Sequence, residues 1–148
     1  MASVESGLMF TGAGLCLLGI LGLAGAGSGQ TVLLVGDEDP VRRTVAQMLR
    51  KADYQVAEAA DAEQALEMLS SGAVDPVVLV TDVIMPGLSG PALAERVRQN
   101  HAVKVISISG YTDGELSAQG LDLGSDRLLR KPFKASDIRR AVQQAIKG

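Results

Sequence analysis

From Thr31 onward, short aliphatic runs alternate with stretches whose apolar residues recur at helical spacing. That alternation constrains the fold more than any other feature of the chain. Thr31–Val35 (TVLLV) and Val77–Thr81 (VVLVT) lack the every-other-residue polarity of a half-exposed strand, so both read as strands covered on two faces. Gln55–Ala59, Val103–Ser107 and Arg127–Arg130 read as three more strands. Pro40 suits the first turn of a helix, with Val41, Val45, Met48, Leu49 and Ala52 as its apolar stripe. Asp61 is placed to cap a second helix that turns Ala62, Ala65, Leu66 and Leu69 inward. Gly87–Gly90 reads as a turn, after which Pro91 opens a third helix with Leu93, Ala94 and Val97 inward. The stretch from Gly110 to Gly124 is polar. Its glycines Gly114, Gly120 and Gly124 predict a short or mobile fourth helix, since an interior glycine costs about 1 kcal/mol. Ser136 is expected to cap a last helix that buries Ile138, Val142, Ala145 and Ile146. Strands alternating with helices imply an α/β fold with a parallel sheet covered on both faces.

The chain divides near Gly29. All 14 Lys and Arg residues, and every acid except Glu5, follow that point. The run from Leu8 to Gly27 (LMFTGAGLCLLGILGLAGAG) is apolar but for Thr11 and rich in glycine. It just reaches the length of about 20 residues that a membrane helix needs. Three readings stand open: a membrane anchor, a signal peptide without the usual basic start, and a leader or remnant of a larger parent. Residues 1–30 are therefore expected to form a leader and linker, and 31–148 the folded domain. The net charge of −3 gives no sign of a nucleic-acid footprint, which would show as a basic face and a high pI. Cys16 stands alone, which excludes an intramolecular disulfide and is compatible with a reducing compartment. A lone His101 reads as a surface residue.

In parallel sheets of this kind, ligand sites lie beyond the carboxyl ends of the strands. Gly36-Asp37-Glu38-Asp39 follows the first strand, Asp82 the third, Ser109 the fourth and Lys131-Pro132 the fifth. Carboxylates crowded at one edge need a cation, or their pKa values must rise. Oxygen-only ligands suit Mg²⁺, and no His or Cys cluster points to zinc. Such a site suits phosphoryl transfer. A carboxylate can be the nucleophile, while a metal, a lysine and a hydroxyl meet the charge on the phosphoryl oxygens.

At these positions the chain resembles the receiver domain of two-component signalling, over about Thr31 to Lys147. VLLVGDEDPVR is similar to that family's first strand and acidic turn, and LVTDVIMPGLSG to its phospho-acceptor strand and loop. ISISGYTD and LLRKPF are similar to its fourth and fifth strands. The motifs come in the family's order. The resemblance implies a doubly wound, flavodoxin-like five-stranded sheet in the order 2-1-3-4-5. It implies Asp82 as phospho-acceptor, and Mg²⁺ held by Asp37, Asp82 and the backbone carbonyl of Ile84. Ser109 would meet the phosphoryl group, Lys131 would pair with one of its oxygens, and the Lys131–Pro132 bond would be cis. The implied partner is a histidine kinase or a histidine phosphotransfer protein, not a nucleic acid, in the cytoplasm or at the inner face of a membrane. A tether through residues 8–27 and a dimer through the face of the fourth and fifth helices are further expectations.

The sequence departs from the family in two places. Gly36 stands where the family has the first of two adjacent acids. Its loss should weaken Mg²⁺ binding, and Glu38 is a candidate to compensate. Leu128 stands where the family often has an aromatic signalling residue, an absence shared with some receivers of hybrid kinases. Ile84 and Tyr111, two residues past Asp82 and Ser109, border the phosphoryl position in the family. Their bulk predicts slow self-dephosphorylation. The folded part leaves no room for an output enzyme or DNA-binding domain, so the expected activity is phosphoryl acceptance and self-dephosphorylation at most. Two rival readings are a docking module that keeps the fold without the chemistry, and a metal-dependent phosphohydrolase. The latter wants a second acid where Ile84 stands.

Overall fold

The computed structural model describes residues 30–111, 113–118, 120 and 127–147. The apolar run 8–27 and Gly124 lie outside them. Five strands, β1 (Thr31–Val35), β2 (Gln55–Ala59), β3 (Val78–Asp82), β4 (Lys104–Ser109) and β5 (Arg127–Arg130), alternate with five helices. The helices are α1 (Asp39–Lys51), α2 (Ala62–Ser70), α3 (Gly90–Arg98), α4 (Asp113–Ala118) and α5 (Ala135–Lys147). All strand pairs are parallel, in the order β2-β1-β3-β4-β5. This is the expected 2-1-3-4-5 sheet.

Side-chain alternation along the strands divides the core in two. Val32, Leu34, Val78, Val80, Ile106 and Ile108 face α1 and α5, where Val45, Leu49, Ile138 and Val142 meet them. Leu33, Val35, Leu79 and Val105 face α2 and α3, against Ala65, Leu69, Leu93 and Val97. The central strands are apolar on both sides because both sides are covered. Burial of a Val or Leu side chain contributes roughly 1.5–3 kcal/mol.

Several boundaries differ from the sequence reading. The third strand runs from Val78 to Asp82 and the fourth from Lys104 to Ser109, each reaching further toward its carboxyl end than expected. Asp82 and Ser109 are therefore the last residues of strands, held by the ladder, rather than loop residues after them. Val41 is 38% exposed, and the inward face of α1 is Val45, Ala46 and Leu49. The third helix starts at Gly90, capped by Ser89, so Pro91 is its second residue. Ser136 does not cap α5, which begins at Ala135. Instead the Asp137 carboxylate accepts the Lys134 backbone N–H at 2.8 Å, the reaching-back half of a capping box. Asp61 does cap α2, accepting from the Gln64 N–H at 2.8 Å. The fourth helix is short, with six residues. Among the described residues no helix is long and apolar enough to cross a membrane.

Candidate phosphoryl-transfer site

The carboxyl edge of the sheet collects its polar side chains by topology. β1 delivers Gly36 and Asp37. The Gly36 N–H donates to the Ala59 carbonyl at 3.1 Å, so strand-like bonding continues one residue past β1. The turn that follows is pinned by Arg42 of α1, whose side chain is only 9% exposed. Its guanidinium donates to the Gly36 carbonyl at 2.8 Å and pairs with Asp39 at 2.7 Å and Glu58 at 3.3 Å.

β3 delivers Asp82, whose side chain is largely covered. Beyond it the Val83 N–H donates to the Ile108 carbonyl at 3.0 Å, and the Val83 carbonyl accepts the Gly90 N–H at 2.8 Å. Gly90 lies directly on the Asp82 carbonyl; a Cβ there would run into that oxygen. A glycine is required at this crossing because two backbone segments touch.

β4 ends in Ser109, 4% exposed, whose Oγ accepts the Tyr111 N–H at 2.9 Å. That bond uses an acceptor position and leaves the hydroxyl proton to donate. β5 is tied to β4 through the Lys131 N–H, which donates to the Ser109 carbonyl at 2.9 Å. The Lys131–Pro132 bond is cis, as expected. Lys131 Nζ lies 3.7 Å from Glu38 Oε1 and 3.9 Å from Asp82 Oδ1.

These ends surround a cavity of about 260 Å³ lined by Asp37, Glu38, Asp82, Ser109 and Lys131, with Ile84 and Tyr111 at its margin. The structure thus gathers every residue singled out from the sequence as reactive or metal-binding. Ile84 and Tyr111 are 37% and 42% exposed, so their side chains stand in the mouth of the cavity rather than in the core.

Burial pushes the Asp82 carboxyl up from 3.8 to about 6; the Lys131 ammonium opposes this, and the Asp37 and Glu38 carboxylates add to it. A buried acid facing two others is a place where a cation relieves a real electrostatic cost. The lining offers carboxylate and carbonyl oxygens and neither His nor Cys. Among the described residues no group of three His, Cys, Asp or Glu could hold an ion by itself. A donor set of two carboxylates with room for water fits Mg²⁺, which keeps several waters when bound.

Two participants escaped the sequence reading. Arg42 sits on an apolar-patterned helix, and nothing in its spacing marks a guanidinium bound to the Gly36 carbonyl. Gly90 looked like an ordinary turn residue, and only the crossing over Asp82 shows why it has no side chain.

The profile of the response regulator receiver domain matches residues 32–143. Over 120 residues the chain is 35% identical to the sensor kinase CckA of Brucella abortus, covering 78% of this chain and 12% of that protein. It is 31% identical to the phosphate regulon regulator PhoB of Pseudomonas aeruginosa, covering 74% of this chain and 48% of that one. The chain thus spans an eighth to a half of these relatives' lengths. The crystal structure of the receiver domain of the hybrid histidine kinase CckA superposes with a TM-score of 0.65 at 36% identity, over 78% of this chain and 98% of that one. The chemotaxis protein CheY4 of Vibrio cholerae superposes with a TM-score of 0.69 at 28% identity, over 79% and 98%. With its sheet order, its acidic strand ends and this match, the chain belongs to the response regulator receiver domain family.

Proposed function

We propose that Asp82 accepts a phosphoryl group in a two-component phosphorelay. The observation that carries the proposal is the convergence of Asp37, Asp82, Ser109 and Lys131 on one cavity at the carboxyl edge of the sheet. In the reaction an Asp82 carboxylate oxygen attacks phosphorus. The bond from phosphorus to the donor breaks, and the donor leaves with its electron pair. The product is an acyl phosphate on Asp82. Lys131 meets one phosphoryl oxygen, and the Ser109 hydroxyl donates to another. Asp37, Asp82 and the Ile84 carbonyl are the candidate Mg²⁺ ligands, and the ion supplies positive charge against the crowded oxygens of the transferring group.

The donor class is a histidine kinase or histidine phosphotransfer protein, in keeping with the family. The likeness to CckA and the aliphatic Leu128 favour a receiver of a hybrid kinase, which relays phosphate, over one that only switches a surface. In this reading the domain works in the cytoplasm, and residues 8–27 tether it to the inner face of a membrane. Pairing of two copies through the α4–α5 face is a secondary expectation.

Incubation with Mg²⁺ and a small acyl phosphate donor, followed by intact mass, tests the reading. One phosphoryl adduct per chain is expected. Continuous donor turnover without adduct would favour a phosphohydrolase, and neither adduct nor turnover would favour a docking module.

A further inference from the structure

Charge is sorted between the two helical layers. α1 and α5, on one face of the sheet, carry seven Lys and Arg against two acids. α2 and α3, on the other, carry two arginines against three acids. Part of the positive layer is occupied: Arg42 pairs with Asp39 and Glu58, and Arg50 with Glu58. Arg43, Lys51, Arg139, Arg140 and Lys147 are exposed and have no partner among the described residues. A chain of net charge −3 thus presents one face of locally positive charge.

The path of the chain bears on what meets that face. The Gln30 carbonyl accepts the Gln55 N–H at 2.9 Å, so Gln30 joins the sheet beside the first residue of β2, four residues past the end of α1. The basic last turn of α1, Arg50 and Lys51, lies close to that junction. Only residues 28 and 29 separate the apolar run 8–27 from Gln30. Three extended residues reach roughly 10 Å. A run embedded in a bilayer would therefore hold this end of the α1–α5 layer about one screening length from the headgroups.

We propose that the outward face of the α1–α5 layer docks on an anionic lipid bilayer through Arg43, Lys51, Arg139, Arg140 and Lys147. The choice of a bilayer over other polyanions rests on the tether reading of residues 8–27; the charged face itself does not. Docked in this way, the domain keeps the edge bearing Asp82 open, because that edge lies at the strand ends rather than on the α1–α5 face.

The test is co-flotation of the full chain with vesicles of phosphatidylcholine alone, or of phosphatidylcholine with one-third phosphatidylglycerol. Each basic side chain at an anionic surface is worth about fivefold in partitioning. Five such factors multiply, so the wild-type chain should prefer the anionic vesicles by roughly 3,000-fold, and the chain with all five residues changed to Gln should lose that preference. Binding to the neutral vesicles reports the tether separately and should be equal in the two chains. A wild-type chain released from neutral vesicles but held by anionic ones through these five residues would still support the face while removing the tether. Equal wild-type binding to both vesicles, or an anionic preference that survives the five substitutions, would overturn the proposal. So would tighter binding of the same face to duplex DNA than to anionic vesicles.

Discussion

Lys131 Nζ stands 3.9 Å from Asp82 Oδ1, although β5 and β3 are separated in the sheet by β4. The long side chain spans the end of that strand, and Ser109, which terminates it, lies between. The same ammonium is 3.7 Å from Glu38, on the turn after β1. One cation is shared by two carboxylates, and a phosphoryl group on Asp82 would compete with Glu38 for it. Release of Glu38 by that competition would tie the turn to the phosphorylation state.

The raised Asp82 pKa makes acceptance pH-dependent. Only the carboxylate is a nucleophile, so without added metal the rate of phosphorylation should rise with pH through about 6. Mg²⁺ should move that midpoint lower. The stability has the opposite slope. Between 3.8 and about 6 the folded chain holds a proton that the unfolded chain has lost, so metal-free stability falls as pH rises through that window. A displacement of that size is worth roughly 3 kcal/mol at most. Denaturant titrations across pH, with and without Mg²⁺, measure both effects, and a flat metal-free profile would contradict the assignment.

A Cβ at Gly36 would stand 3.0 Å from Asp82 Oδ2. Gly36→Asp therefore adds a fourth acid to the cavity, beside Asp37, Glu38 and Asp82, at the cost of a small displacement of Asp82. We expect Mg²⁺ affinity to increase by about 10-fold or more, the size of effect typical of groups that act on a metal through water. Stability without metal should fall. Gly36→Ala separates the two causes, since it brings the crowding without the carboxylate and should not tighten binding. Calorimetric titration with Mg²⁺ decides; equal affinity in both variants and the wild type would exclude the missing acid as the reason.

Gly90→Ala drives a methyl group into the Asp82 carbonyl. Neither partner is a flexible side-chain end, so the β3–α3 junction has to shift. The expected cost is about 1–3 kcal/mol of stability, with slower phosphorylation because Asp82 moves. Gly114→Ala, in open space on the short α4, serves as the control and should leave phosphorylation unchanged while stability stays the same or rises by up to about 1 kcal/mol.

Ile84 and Tyr111 stand partly exposed at the mouth of the cavity. Their bulk should restrict the approach of water to a phosphoryl group on Asp82. Ile84→Asn replaces an apolar side chain with one that can orient water, and should speed loss of phosphate by about 10-fold, less than the roughly 100-fold or more of a group that itself transfers the proton. The decay of the phosphorylated chain after donor removal measures this. An unchanged lifetime would mean that water reaches the site by another path.

Strand order and site were largely legible because both follow from pattern. TVLLV and VVLVT read as doubly covered strands, and parallel crossovers then place Asp37, Asp82, Ser109 and Lys131 at one edge. Strand ends were less legible. Asp82 and Ser109 are polar residues that the ladder holds in register, and hydrophobic pattern stops one or two residues too early for such residues. Val41 fits a helical stripe by spacing but lies beyond the reach of the sheet, at the amino-terminal turn of α1. The Ser136 cap failed because the helix already begins at Ala135, so Ser136 lies inside its first turn, and it is Asp137 that reaches back to the Lys134 N–H. The roles of Arg42 and Gly90 depend on which backbone passes beside them, and no local pattern encodes that.

The central claim is that the phosphoryl group is carried by Asp82. Borohydride reduces an aspartyl phosphate to homoserine, and peptide mapping then locates the residue. After incubation with Mg²⁺ and an acyl phosphate donor, homoserine should be found at position 82 alone, and Asp82→Asn should yield none. Homoserine at position 37, or phosphate retained by Asp82→Asn, would contradict the account.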